Sequence, residues 1–148
     1  MAITKVTRHN TPAFRVKLAA DQDISTATWT KILFATETID SDAKFASNKF
    51  TPTVAGTYVL TLQVTIDDLD DQKNLFLAIY KNGSAISGGD SGTRVRASGT
   101  EKTTSWSHII DTADSDDYYE GYVYHDIGST EELRDDYSTI FFGYKLII

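Results

Sequence analysis

Between Pro52 and Asp67 the chain alternates with a period of two. Tyr58, Leu60, Leu62 and Val64 fall on one side, and Thr57, Val59, Thr61 and Gln63 on the other. Successive side chains of a strand point to opposite faces, so this pattern describes a strand with one face in a core and the other wet. Pro52 and Gly56 precede it as punctuation. Shorter runs of the same kind recur: "AFRVKLA", with Phe14, Val16 and Leu18 against Arg15 and Lys17; "KILFAT"; "TSWSHIIDT"; "DDYYEGYVYHD"; and the closing "TIFFGYKLII". In "NLFLAIYKNGSAIS" two runs flank Asn82-Gly83, the preferred centre of a type I′ hairpin turn. "DQDISTATWT", "IDSDAKFASNKF", the acidic "DDLDDQKN", "GGDSG" and the acidic "GSTEELRDDYS" read as connections, the last with room for a helical turn. No segment sustains a helical period. Eight or so short strands with turn signals between them predict an antiparallel all-β sandwich or jelly roll. The richness in Thr and Tyr agrees, since both suit a pleated, half-buried surface.

The 148 residues suffice for one domain. There is no repeat and no dividing linker. Residues 1–12 are polar and end at Pro12, so they form an N-terminal arm, and residues 13–148 form the domain.

The formal charge is −7 and no stretch clusters Lys or Arg. Nucleic-acid binding needs cations to displace counterions from phosphates, so it is not expected, and neither is attraction to anionic membranes. No run of about 18 apolar residues offers a membrane span. Without cysteine there are no disulfides, no thiolate chemistry and no Cys-ligated zinc. The start, "MAITKVTRHNTPAF", lacks an apolar h-region. The expectation is a protein synthesised in a host cytoplasm without a signal peptide.

Four motifs stand in a telling order. "KFTPTVAGTYVLTLQV" carries Phe50 to Tyr58, "LAIYKNGS" carries Tyr80 to Gly83, "DDYYEGYV" carries Asp116 to Val123, and "FFGYKL" carries Phe141 to Leu146. Together they resemble the globular head of the complement first component, the C1q-like family of the tumour-necrosis-factor-like jelly rolls. Asp116-Asp117 stands where that family has Gly-Asp. The resemblance implies a two-sheet jelly roll of about ten strands, assembled as a homotrimer, in a recognition head or a phage or bacterial shell or fibre component.

The residues themselves point to a covered second face. In "DYYEGYVYH", Tyr119, Gly121 and Val123 share one face, which leaves Tyr118, Tyr122 and Tyr124 outside. In the terminal strand both faces are mostly apolar, with Phe142 and Tyr144 opposite Phe141 and Gly143. A strand with two apolar faces needs a second cover, and a neighbouring subunit is the simplest one. Tyr118, Tyr122, Tyr124, Phe142 and Tyr144 are therefore the expected trimer interface. A sugar-stacking platform is the alternative for the tyrosines. Trp106 alternates with His108 and Ile110 and is expected in the core. Trp29 fits either surface or core.

Asp67, Asp68, Asp70 and Asp71 form one acidic loop, Asp114, Asp116 and Asp117 another, and Glu131, Glu132, Asp135 and Asp136 a third. None has the spacing of a calcium loop, so they read as solvated loops and no metal or other cofactor is expected. His9, His108 and His125 fit no metal or catalytic spacing, and no nucleophile elbow occurs. The expected function is non-enzymatic: a trimeric virion protein that decorates or stabilises a phage capsid or caps a fibre. The alternative is a receptor- or carbohydrate-binding head. Lys5, Arg8 and His9 make the arm cationic on an acidic chain, so a capsid or other virion surface is its expected partner.

Overall fold

The computed structural model describes residues 11–94, 102–135 and 139–147. Among these there are thirteen strands and no helix: β1 (Ala13–Leu18), β2 (Gln22–Ile24), β3 (Thr30–Lys31), β4 (Phe34–Asp40), β5 (Phe45–Ala46), β6 (Lys49–Phe50), β7 (Gly56–Asp67), β8 (Asn74–Lys81), β9 (Ser84–Arg94), β10 (Lys102–Ala113), β11 (Tyr119–His125), β12 (Glu131–Leu133) and β13 (Ile140–Lys145). The count exceeds the expected ten because β2, β3, β5, β6 and β12 are pieces of two or three residues within stretches that read as connections.

The strands form two antiparallel sheets. In the first, β4, β1, β13 and β7 lie side by side, and β10 pairs the other edge of β7 along its whole length. β12 meets β7 beyond the end of β13, through Leu133 and Ile66, and carries β2 on its far side. In the second, β5, β6, β11, β8 and β9 run in order, with β3 also against β11.

The alternation of β7 sets the core. Tyr58, Leu60, Leu62, Val64 and Ile66 all point inward and are fully buried. Leu75, Leu77, Ile79, Tyr119 and Val123 of the second sheet face them. Each such side chain contributes about 1.5–3 kcal/mol by leaving water. Phe14 organises one end, with ring centroids 4.1 Å from Phe50, 4.9 Å from Phe141 and 5.6 Å from Phe45.

The β8–β9 hairpin turns at Asn82 and Gly83, both with positive φ (53° and 79°), as a type I′ turn requires. Two of the connections that contain strands add to the sheets in a way that matters for packing. "GGDSG" continues β9 after a register shift, pairing Asp90 with Ala78, Ser91 with Leu77 and Gly92 with Phe76. Its small side chains meet those of β10: Ser107 donates to the Gly89 carbonyl, Ser91 to the Trp106 carbonyl, and Thr93 to Ser105. The sandwich closes here through hydroxyl bonds between small residues, a seam that hydrophobic periodicity does not mark. In "GSTEELRDDYS", Glu131–Leu133 pairs with β2, and Leu133 is buried.

Candidate functional site

Two outer faces of the sandwich carry apolar side chains. The first lies on β13, β7 and β10, where register builds rows across the sheet. Tyr144, Val59 and Ile110 form one row, and Phe142, Thr61 and His108 the next. Ile140, Gln63 and Trp106 follow. Ile110 is 68% exposed, Trp106 51% and Tyr144 36%. A shallow apolar depression lies among Val59, Thr61, His108, Ile109 and Ile110. Trp106 thus corrects the expectation that it packs in the core. It does share a side with His108 and Ile110, but Thr103, Ser105 and Ser107 take the inner positions. The seam between β9 and β10 admits hydroxyls and has no room for an indole.

The second face lies on β3, β11 and β8. The Tyr80 and Tyr122 rings stack with centroids 3.9 Å apart and planes 20° from parallel. Tyr124 lies 6.0 Å from Phe76 and 5.6 Å from Trp29, and Trp29 reaches to within 6.4 Å of Tyr80. Burial, then the nearby Glu120 carboxylate, raises the Tyr122 hydroxyl pKa above that of a free phenol. Tyr118 stands apart, with the Lys49 ammonium 4.4 Å above its ring. The inward set Tyr119, Gly121 and Val123 is buried as the alternation requires.

The five residues expected to form one interface therefore occupy different surfaces. Phe142 and Tyr144 lie on the first face, and Tyr122 and Tyr124 on the second, across the thickness of the sandwich. Lys5, Arg8 and His9 lie outside the described residues.

In the acidic loops Asp67 and Glu132 share one cation of the chain itself, Arg134. Arg134 lies 2.7 Å from Asp21, 3.2 Å from Asp67 and 3.3 Å from Glu132. Asp136 lies outside the described residues. Among the described residues no three His, Asp or Glu side chains converge as metal ligands would. His108 stands on the first sheet, while His125 is buried on the second, its Nε2 3.2 Å from the Ile24 carbonyl.

Lys81 anchors the hairpin, with Asp117 at 2.9 Å, Asp111 at 3.1 Å and the Thr112 carbonyl at 2.7 Å. The Tyr119 hydroxyl donates to Asp111 at 2.6 Å. Asp117 also accepts from the Asp114 amide at 2.7 Å and the Asn82 side chain at 2.6 Å. The Lys81 hydrogen bond, against some opposition from burial and with help from these donors, holds the Asp117 carboxyl at about 2, below its ordinary 3.8. A carboxyl depressed in the folded state stabilises fully above its unfolded pKa and loses that contribution as pH falls through the folded value. Asp117→Asn is expected to cost about 1–2 kcal/mol near neutrality. The difference from wild type should shrink as pH falls from about 4 toward 2, read by thermal unfolding across that range. A gap that stays constant over the range would mean that the carboxylate is not the source of the effect.

No protein-family model and no curated protein sequence matches the chain. Solved structures do. The globular domain of zebrafish complement 1qA superposes with a TM-score of 0.61 at 14% identity, over 92% of this chain and 98% of that one. Murine APRIL superposes with a TM-score of 0.64 at 10% identity, over 90% of this chain and 98% of that one. The chain has the C1q/TNF-like jelly-roll fold. Sequence identities this low establish the fold alone, and that is the fold that the order of the four motifs implies. In the C1q-like sandwich of this chain the motif positions have definite work: Phe50 and Tyr58 pack in the core, Asn82-Gly83 turns the hairpin, and Phe141 and Gly143 face inward from β13.

Proposed function

We propose that the chain is a non-enzymatic structural head that assembles as a homotrimer through the β7–β10–β13 face and serves in a virion, decorating a phage capsid or capping a fibre. The observation that carries the assembly is the first apolar face. Ile110, Trp106 and Tyr144 stand exposed on the outer side of a sheet whose inner face already meets a complete core. Exposed aromatic and aliphatic side chains interspersed with a few polar ones have the composition of an interface centre. Phe142 and Tyr144 belong to this interface. The C1q/TNF-like fold supports a closed trimer as the form that covers it.

The virion setting rests on the acidity of the chain, the absence of cysteine and the implication of the C1q-like resemblance that such domains serve in phage shells and fibres as well as in recognition heads. The cationic arm with Lys5, Arg8 and His9 is its proposed attachment to a capsid or other acidic virion surface. Sedimentation equilibrium at micromolar concentration tests the assembly: three chains are expected, and a stable monomer overturns it. Mass spectrometry of purified particles tests the setting, with the chain expected among the virion proteins.

A further inference from the structure

We propose that the aromatic face of β3, β8 and β11 is a binding site for neutral pyranose sugars. This goes beyond the trimer reading and uses the opposite side of the sandwich. Trp29 and Phe76 are 40% and 38% exposed, and with Tyr80, Tyr122 and Tyr124 they form one connected set of rings. Most of the set is locked before any ligand arrives, so little side-chain entropy is lost on binding.

The decisive feature is Phe76. Gly92 lies opposite it on β9, and a Cβ at Gly92 would meet Cδ1 and Cε1 of Phe76 at 2.5 Å each. The Cδ1–Cε1 edge of the ring therefore packs against the neighbouring strand, while the residue stays 38% exposed. Exposed aromatic rings stack on the C–H face of a sugar ring, which carries weak positive charge complementary to the π cloud.

Polar groups bound the strip at both ends. Beyond Phe76 and Tyr124, Asp126 accepts from the backbone and side-chain amides of Asn74. Next to Tyr122 and Tyr80, Glu120 pairs with Lys31. Both carboxylates are held in place by chain partners, and Glu120 is itself buried.

Size decides between a sugar and a protein partner. Three adjacent strands span about 10 Å, and Phe76 to Tyr80 spans about 13 Å along β8. The strip has room for one or two six-membered rings, far below the roughly 800 Å² per side of a stable protein interface. The net charge of −7 disfavours anionic sugars, which leaves neutral ones.

The test uses the full chain with Trp106→Phe, which leaves Trp29 as the one tryptophan reporter, because the sequence holds two. Oligomers of glucose, galactose, mannose and N-acetylglucosamine are titrated against its fluorescence. At least one series should give a saturable change, and Phe76→Ala should weaken it about tenfold or more, the loss of one ring stack. Absence of a saturable response in all four series overturns the proposal. So does an affinity unchanged by Phe76→Ala. Should Phe76→Ala not fold, Trp29→Ala measured by calorimetry decides on the same criterion. Stoichiometry is read separately by sedimentation, so failure here leaves the trimer reading standing, and the reverse holds.

Discussion

Gly143→Ala is expected to destabilise the domain by about 3 kcal/mol, the upper end for overpacking a core. Gly143 sits in β13 between β1 and β7, paired with Phe14 on one side and Leu60 on the other. A Cβ there would lie 2.6 Å from the Val59 carbonyl oxygen, 2.6 Å from Leu60 Cδ2 and 3.0 Å from Phe14 Cε1. Leu60 could change rotamer. The Val59 carbonyl cannot move without disturbing its strand, and Phe14 is held among three other rings. For a domain of this size the loss corresponds to a melting temperature lower by about 10 °C. Gly88→Ala provides the contrast. No atom stands within 4 Å of its added Cβ, and only its positive φ of 80° resists substitution. It should cost about 1 kcal/mol. Thermal unfolding of both variants checks the pair, and a Gly143→Ala melting temperature equal to that of Gly88→Ala would show that the close approach relaxes freely.

That glycine also explains why the fold was legible. The motif that ends the chain is a packing constraint: Phe141 fills the core and Gly143 lets β13 approach β7. Similar constraints fix the other readable positions. The alternation of Tyr58 to Ile66 admits only one face to the core, and Asn82-Gly83 tolerates the two positive φ values of the turn. Where hydrogen bonds between small side chains replace hydrophobic burial, the signal vanishes. "GGDSG" read as a loop because its partners on β10 are hydroxyls, and Trp106 seemed a core residue for the same reason. The residues expected at an interface are hard to place for a different cause. Periodicity tells which side chains leave the core, but in a sandwich the two outer faces point in opposite directions. Tyr122 and Phe142 both read as outward, and only the strand order, with β11 and β13 in different sheets, separates them.

Ile110→Asp is expected to convert the proposed trimer to a folded monomer. In one isolated chain Ile110 is 68% exposed, so an aspartate there should change stability by no more than about 0.5 kcal/mol. In the assembly the same position lies in the row of Val59 and Tyr144, beside the exposed Trp106 and the depression around His108. A carboxylate enclosed on that surface loses its water and gains no cationic partner from the row, a cost of several kcal/mol in each copy. Summed over three copies this exceeds what an ordinary interface can absorb. Sedimentation at micromolar concentration should therefore give one chain for the variant and three for wild type, with far-UV circular dichroism unchanged. Tyr122→Asp sharpens the result because it places the same charge on the opposite face. It should remain trimeric if the β7–β10–β13 face is the one covered. A Tyr122→Asp monomer beside an Ile110→Asp trimer would instead put the interface on the aromatic face, and the sugar site with it would lose its exposure.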